Sequence, residues 1–502
     1  VVIVQTSCGQ IAGVQQEKHQ SFMGIPFAAP PVGPLRFRAP QPPAAWSGVR
    51  KADAPGLAAR QTGHPIPGFA ASGSQDEDCL YLNVFTPSAD GARRPVLFWI
   101  HGGGFTHGAG SEDLYNGGPL AERGDVVVVT INYRLGAFGY LWLGDHLPDA
   151  GLTANAGQLD QIAALEWVRD NITAFGGDPG NVTIFGESAG AAAVGTLLAM
   201  PGAKGLFHRA ILQSGTGRAG NREGGQRVAD MILEELGLDR ARAAEILTAP
   251  ADRILEAQTA VAAKLAREGG PIFGPVRDGV TLLDQPLSAV RAGAAAGIPV
   301  MAGTNRDEVK LFAATMRRDE IDDEALVRAV DGTLGKPGPE KAREVIAVYR
   351  RSRAERGLPG TNLDILDAVG SDVRFRVGAT RLALAQQPHQ PDTYVYLFTY
   401  ASPARRGALG SCHALEMPFV FGTLKAPTQD RFAGSGPGVD QLSERMMDAW
   451  ISFARTGRPG HEGIGRWDAY TEPTRPTMVF DLESGQQSDP FGEERRAVEA
   501  CL

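Results

Sequence analysis

The sequence predicts an α/β fold, a mostly parallel sheet flanked by helices, from three observations. Short apolar runs rich in β-branched residues alternate with helical segments as far as residue 213. The run VTIF, 182–185, leads straight into G-E-S-A-G and then into a helix of small residues. Two long, almost wholly helical blocks, at roughly 222–298 and 310–388, look like insertions into that sheet. No repeat, low-complexity linker or composition break marks a boundary, so a single domain over 1–502 is expected.

In chain order, residues 1–20 read as short strands with a turn at Gly9. FMGIPFAAPPVGPLRFRAPQPP, bounded by Trp46, is too broken by proline for helix. PVLFWI (95–100) and DVVVVTIN (125–132) are buried-strand runs. Residues 156–175 have helical spacing, with Leu159, Ile162, Ala163, Leu165, Glu166-Trp167 and Ile172 on one broad face. Strands follow at 182–185 and 210–213, then helices in EGGQRVADMILEELGL and ADRILEAQTAVAAKLARE. PVMAG (299–303) returns to the sheet and ends in the polar loop TNRDE. TYVYLFTY (393–400) is a strand, followed by a loop carrying GSCHALE. Residues 439–455 form an amphipathic helix with Leu442, Met446, Trp450, Ile451 and Phe453 inward, and 478–481 closes the ordered pattern.

Composition sets broad limits. Hydrophobic residues are 43% and charged residues 21%, ordinary for a soluble globular chain. The net charge of -8 is spread rather than blocked, which argues against a nucleic-acid surface. No apolar run reaches the length of a membrane span. No signal peptide is visible, and a start at Val1 leaves cytoplasmic and secreted locations both open. The four cysteines, Cys8, Cys79, Cys412 and Cys501, lack metal-ligand spacing and fit two disulfides or four thiols equally. Arginine outnumbers lysine and alanine is abundant, which suggests a GC-rich bacterial source.

The chemistry centres on Ser188. A serine between glycines at a strand-to-helix turn is the nucleophile elbow of serine hydrolases. The turn leaves room only for glycine two residues to either side, here Gly186 and Gly190. Serine needs a base, normally a histidine oriented by a carboxylate, in the chain order serine, acid, histidine. Of His389, His413 and His461, only His413 lies in a loop that a sheet strand delivers to the strands' carboxyl end. The acid is Asp307 or Glu308; spacing does not choose between them. HGGGF, 101–105, follows a buried strand, and its glycines can present unhindered N–H groups to a substrate oxyanion. Phe105, Tyr115, Phe273 and Phe312 are candidates to line an apolar cleft, with core packing as the alternative for each.

The chain resembles the type-B carboxylesterase family, the group of bacterial p-nitrobenzyl esterases and cholinesterases. The resemblance runs nearly end to end, through EDCLYLNVFTP, FWIHGGGF, NYRLGAFGYL, NAGQLDQIAALEWVRDNITAFGGDPGNVTIFGESAGA, GTNRDE and HALEMPFVFG. It implies an α/β-hydrolase domain that cleaves carboxylic esters through an acyl-enzyme and needs no cofactor or metal. It implies Ser188 as nucleophile, Glu308 as acid, His413 as base, and Gly103, Gly104 and Ala189 as oxyanion donors. Glu187 and Ser214 match positions near the site that are polar in the family. Val309 and Ala414 stand where the family often has glycine, which suggests altered packing there. The family's partner for Cys79 is replaced near Ala59, so that disulfide is expected to be missing. Phe69 is the only aromatic residue in 50–78, where cholinesterases place a cation-binding Trp, so choline esters are not the expected substrates.

The expected partner is an apolar, small-to-medium ester, with no nucleic acid or membrane, acted on by a monomer or weak homodimer. A non-catalytic adhesion domain on the same fold is disfavoured by the intact triad residues. Gly215, Gly217 and Gly220 match G-x-G-x-x-G, but NREGG is expected to delay the following helix and spoil a dinucleotide site. Cys412 beside His413 raises a thiol enzyme, disfavoured because neighbours in an extended loop point apart.

Overall fold

Every residue of the strand Arg94–Ile100 is buried, and Val96, Leu97, Phe98, Trp99 and Ile100 expose no surface at all. A strand covered on both faces reads as an unbroken apolar run, which is how PVLFWI is written. In the computed structural model, which describes all residues except 65, 67–68, 266–272 and 315–317, this strand lies between two parallel neighbours. These are Val127–Ile131 and Gly177–Glu187. Beyond Val127–Ile131 the sheet turns antiparallel, through Tyr81–Thr86, Gln20–Pro26, Gly9–Gln15 and Val2–Thr6. The fold is therefore α/β with a mixed sheet, parallel where the predicted motifs lie and flanked by helices.

The chain packs as two compact units, 1–211 with 217–298, and 212–216 with 299–502. In the second unit, Val300–Asn305, Thr393–Phe398 and Pro476–Phe480 run parallel in that order, and Gly485–Ser488 closes the edge antiparallel. Helices Asp323–Thr333, Pro339–Glu355, Asn362–Ser371 and Val377–Gln386 gather around Leu326, Val345, Tyr349, Ile365 and Val369.

Several expectations need correction. The first turn is made by Ser7 and Cys8, and Gly9 begins the next strand. Glycine is needed there because a Cβ would stand 2.5 Å from the Trp46 Nε1. The proline-rich stretch starts inside a strand, Gln20–Pro26. The helix Ala156–Asn171 is buried nearly all round, not on one apolar face: Gln158, Asp160 and Gln161 are inside and Glu166 is out. Order does not end at 481, since the helix Gly492–Glu499 follows Gly485–Ser488. Its sequence, GEERRAVE, buries Val498 in the helical core but also Glu494 and Arg495 in polar contacts, so no apolar period announces it. Parts of ADRILEAQTAVAAKLARE and of the block 310–388 lie outside the described residues; the helix Ala251–Leu265 accounts for most of the former.

Candidate active site

Strand register sets up the first half of the site. Gly186 pairs with Ile100, so the chain leaves both parallel strands at the same level of their carboxyl edge. One strand runs into Glu187-Ser188 and the other into the glycine loop His101–Phe105. Ser188 has φ 55° and ψ −119°, a backbone that side-chain-bearing residues adopt only under strain, and the helix Ala189–Leu197 starts immediately after it. The flanking glycines are steric necessities. A Cβ on Gly190 would collide with the Ile100 carbonyl oxygen, and one on Gly186 would stand 2.5 Å from the Gly190 carbonyl carbon.

The glycine loop runs beside this turn. A Cβ on Gly102 would stand 3.3 Å from the Ser188 Cβ and 2.9 Å from Glu187 Oε2. Gly103, Gly104 and Phe105 follow with φ of 103°, 64° and 61°. The N–H groups of Thr106 and His107 both donate to the Gly103 carbonyl, at 3.1 and 2.9 Å, and close the loop on itself. His101 donates from Nδ1 to the Gly102 carbonyl at 2.8 Å, and its ring stacks on Tyr133 at 4.5 Å. Burial pushes His101 down to about 4. His107 is also pushed down to about 4, by burial and then by the neighbouring His64. Both rings are therefore neutral at pH 7.

The second unit holds the candidate acid and base. Glu308 lies three residues beyond the strand Val300–Asn305, and His413 lies in the loop after the adjacent strand Thr393–Phe398. The Nδ1 of His413 donates to Glu308 Oε2 at 2.6 Å, and both side chains are fully buried. The other carboxylate oxygen accepts the Asn305 backbone N–H at 2.8 Å. With the proton on Nδ1, the basic nitrogen of the ring is Nε2. Phe312 and Phe375 flank the imidazole at centroid distances of 5.1 and 4.8 Å.

Of the two carboxylates that the sequence left open, Asp307 goes elsewhere. It pairs with Arg306 at 2.8 Å and accepts the Ser411 N–H at 3.0 Å. Burial opposes its ionisation, but Arg306, Lys310 and that N–H outweigh burial and hold it below the usual carboxylate range.

Around this pair lies a polar network that sequence reading missed. Asn305 Nδ2 donates to Glu416 Oε2 at 2.6 Å and to the Cys412 carbonyl at 2.7 Å. Gln213 Nε2 donates to Glu416 Oε1 at 3.3 Å, and Trp450 Nε1 donates to Gln213 Oε1 at 3.0 Å. The sequence pattern puts Asn305 in a polar loop, yet it is the last residue of the strand and buried. Phe375 was also missed. It sits on a π-helical turn, Asp372–Arg376, that helical periodicity does not signal.

The remaining candidates fall as follows. Ala189 is the first residue of the helix after Ser188, and Glu187 is buried just before it. Ser214 is buried at φ 53°, and its N–H donates to the Gly303 carbonyl at 2.8 Å. Phe105 meets Tyr140 edge-on at 5.1 Å and also packs against Gly274; Phe273 is buried next to that glycine. Tyr115 packs on Trp99 at 5.0 Å. Ala414 is buried and occupies the left-handed region, φ 63°, so a backbone strain that glycine would not carry accompanies the alanine at this position. Cys412 is buried, its thiol pushed well up by burial and by Glu308, which keeps it protonated. All four cysteines are free, and Cys79 lines a small void with Ala59.

NREGG opens the helix rather than preceding it, but the start still falls beyond Gly220, the last glycine of the match, as a delayed helix requires. The helix begins at Arg222, where the Asn221 side chain accepts the Gly224 N–H at 2.8 Å and caps the first turn. Gly217 is explained by packing, since a Cβ would stand 2.5 Å from Pro286. Among the described residues, no group of three or more His, Cys, Asp or Glu side chains is placed to hold a metal ion. No helix among them is long and apolar enough to cross a membrane.

The model of the carboxylesterase family matches residues 1–497. The chain belongs to that family. The para-nitrobenzyl esterase of Bacillus subtilis (strain 168) is 41% identical over 500 residues, covering 99% of this chain and 98% of its own. The phenmedipham hydrolase of Pseudarthrobacter oxydans is 35% identical over 497 residues, covering 96% of each. The solved structure of a thermophilic PNB esterase superposes with a TM-score of 0.87 at 39% identity and covers 99% of both chains. The chain is thus an esterase of the carboxylesterase family, and its relatives include proteins named as esterases.

Proposed function

We propose that Ser188 is the nucleophile of this esterase, His413 its base and Glu308 the carboxylate that orients the base. The observation that carries the reading is the backbone at Ser188. A non-glycine residue is held at φ 55° between two glycines that admit no side chain, beside a loop of three more. Strain of this kind persists only where the surrounding structure enforces it.

His413 Nε2 takes the Ser188 proton as Oγ attacks the ester carbonyl. The Glu308 carboxylate on Nδ1 fixes the tautomer and stabilises the imidazolium. The N–H groups of Gly103, Gly104 and Ala189 receive the oxyanion, each typically worth ~10²–10³ in rate. The alcohol leaves with the proton from His413, and water repeats the sequence to release the acid. Phe105, Phe273 and Phe312 favour an apolar, small-to-medium ester, in keeping with the para-nitrobenzyl group in the name of that esterase relative.

Titration with an organophosphonate ester tests the assignment. One equivalent is expected to abolish p-nitrophenyl butyrate hydrolysis and, with loss of the phosphonate's leaving group, to add the mass of the phosphonyl group to the peptide containing Ser188. Label on any other residue, or full activity after labelling, would refute it. A series of p-nitrophenyl esters from acetate to laurate then ranks the acyl groups, with the best turnover expected at the shorter chains.

A further inference from the structure

Gln61 is buried, and its carboxamide is saturated with backbone partners. Nε2 donates to the Gly108 carbonyl at 2.9 Å and to the Ala59 carbonyl at 3.0 Å. Oε1 accepts the Gly108 N–H at 2.8 Å and the Ala71 N–H at 2.9 Å. Two donors and two acceptors are all used, so the side chain serves as a peptide group inserted opposite Gly108. Gln61 is itself held in place, since its own N–H donates to Gln75 Oε1 at 3.0 Å.

Gly108 is the point at which the glycine loop is fastened. It has φ 102°, and a Cβ there would stand 2.6 Å from His101 Nδ1 and 2.9 Å from the Gly102 carbonyl oxygen. The residue before it, His107, donates from its N–H to the Gly103 carbonyl. A Cβ on Gly103 would collide with the His107 carbonyl oxygen. Gly103 and Gly104 thus lie on a turn whose return arm ends in the Gln61 carboxamide. Asn132 secures the arm further on, where its Oδ1 accepts the Gly110 N–H at 2.8 Å.

We infer that Gln61 is a positioning residue for the oxyanion loop: by clamping both backbone groups of Gly108 it keeps the Gly103 and Gly104 N–H groups where the developing oxyanion needs them. The inference rests on the proposed role of those two glycines. No shorter or singly charged side chain replaces it. Glutamate at this length loses both donors, and methionine fills the volume but leaves the N–H and C=O of Gly108, the Ala71 N–H and the buried Ala59 carbonyl without this partner.

The test compares Gln61→Glu and Gln61→Met with the wild-type enzyme. Thermal melts first establish that each variant is folded at the assay temperature. The readouts are kcat and KM for p-nitrophenyl butyrate, Ki for an alkyl trifluoromethyl ketone, which forms a tetrahedral oxyanion adduct, and Ki for the corresponding methyl-carbinol, which cannot. A donor displaced by about an ångström costs on the order of 10- to 100-fold. The expected result is a kcat loss of about that size, KM within about threefold, and a matching loss of ketone affinity with carbinol affinity unchanged. A folded Gln61→Met enzyme with wild-type kcat and ketone affinity would overturn the inference. Equal losses for ketone and carbinol would also overturn it, by showing a general structural role. If the ketone fails to inhibit the wild-type enzyme, the oxyanion assignment itself falls, and the inference with it.

Discussion

The two halves of the proposed site are built from different materials. Around Ser188 the geometry is made by backbone: glycines without room for a Cβ, left-handed torsions, and N–H groups at a helix start. Around His413 it is made by side chains, with Glu308, Asn305, Glu416, Gln213 and Trp450 joined by hydrogen bonds across up to 237 positions of sequence. A backbone-built site tolerates no neighbouring side chain but is compact in sequence. A side-chain-built site is dispersed in sequence and vulnerable at many positions.

Substitutions at the two centres give the sharpest contrast. Ser188→Ala is expected to lower kcat by about 10⁴- to 10⁶-fold with an unchanged melting temperature, because Ser188 is held by its backbone. Melting and p-nitrophenyl ester turnover, measured on the same sample, check both parts. Glu308→Gln is expected to cost about 10³- to 10⁴-fold in kcat, by unseating the tautomer of His413. Asp307→Asn should cost far less, because Asp307 bonds to Arg306 and Ser411 and not to the imidazole. Equal losses in the two variants would erase the distinction between these adjacent carboxylates.

The pH response should also divide. His101 and His107 titrate at about 4 in the folded chain, below the ~6.5 of an unfolded histidine. Their contribution to stability is intact above pH 6.5 and is lost as pH falls toward 4. In the second unit, burial and then the Asp372 charge raise Glu494 to about 7. Its contribution runs the other way, fullest below the unfolded value near 4.5 and lost as pH rises to about 7. Hydrogen exchange across pH 4–8 should show the peptide 101–110 loosening on the acid side. Peptides 372–376 and 492–499 should tighten there, each change being on the order of a few kcal/mol at most. Glu494→Gln should flatten the second trend alone.

The smallest effect concerns Ala414. At φ 63° it bears a left-handed strain of roughly 1–2 kcal/mol, against which glycine loses up to about 1 kcal/mol in chain entropy. Ala414→Gly is therefore expected to leave the melting temperature equal or slightly raised and kcat within about twofold. A clear drop in melting temperature would mean that the Ala414 methyl group contributes packing that outweighs its strain.

The same contrast explains what could be read in advance. The strand runs and the G-E-S-A-G turn were legible because one short stretch carries both the hydrophobic signal and the steric requirement. Glu308 was separated from Asp307 only by family resemblance, since both follow the strand and no spacing rule decides which one turns toward the loop at 413. Asn305 and Glu416 were not legible at all. Their burial depends on partners far along the chain, and a polar residue gives no periodic sign that it is inside. The helix Gly492–Glu499 was missed for the same reason, its inward face being largely charged.

The path of the chain through its two units has a consequence for biosynthesis. Residues 212–216 belong with 299–502, although they are made before 217–298. On the ribosome, domains tend to fold in the order of their emergence. The nascent polypeptide can therefore assemble its serine turn and glycine loop while that pentapeptide still waits for companions yet to be translated. On the proposed assignment, the growing chain stays catalytically silent until position 413 has left the exit tunnel, which delays hydrolytic competence until most of the protein exists.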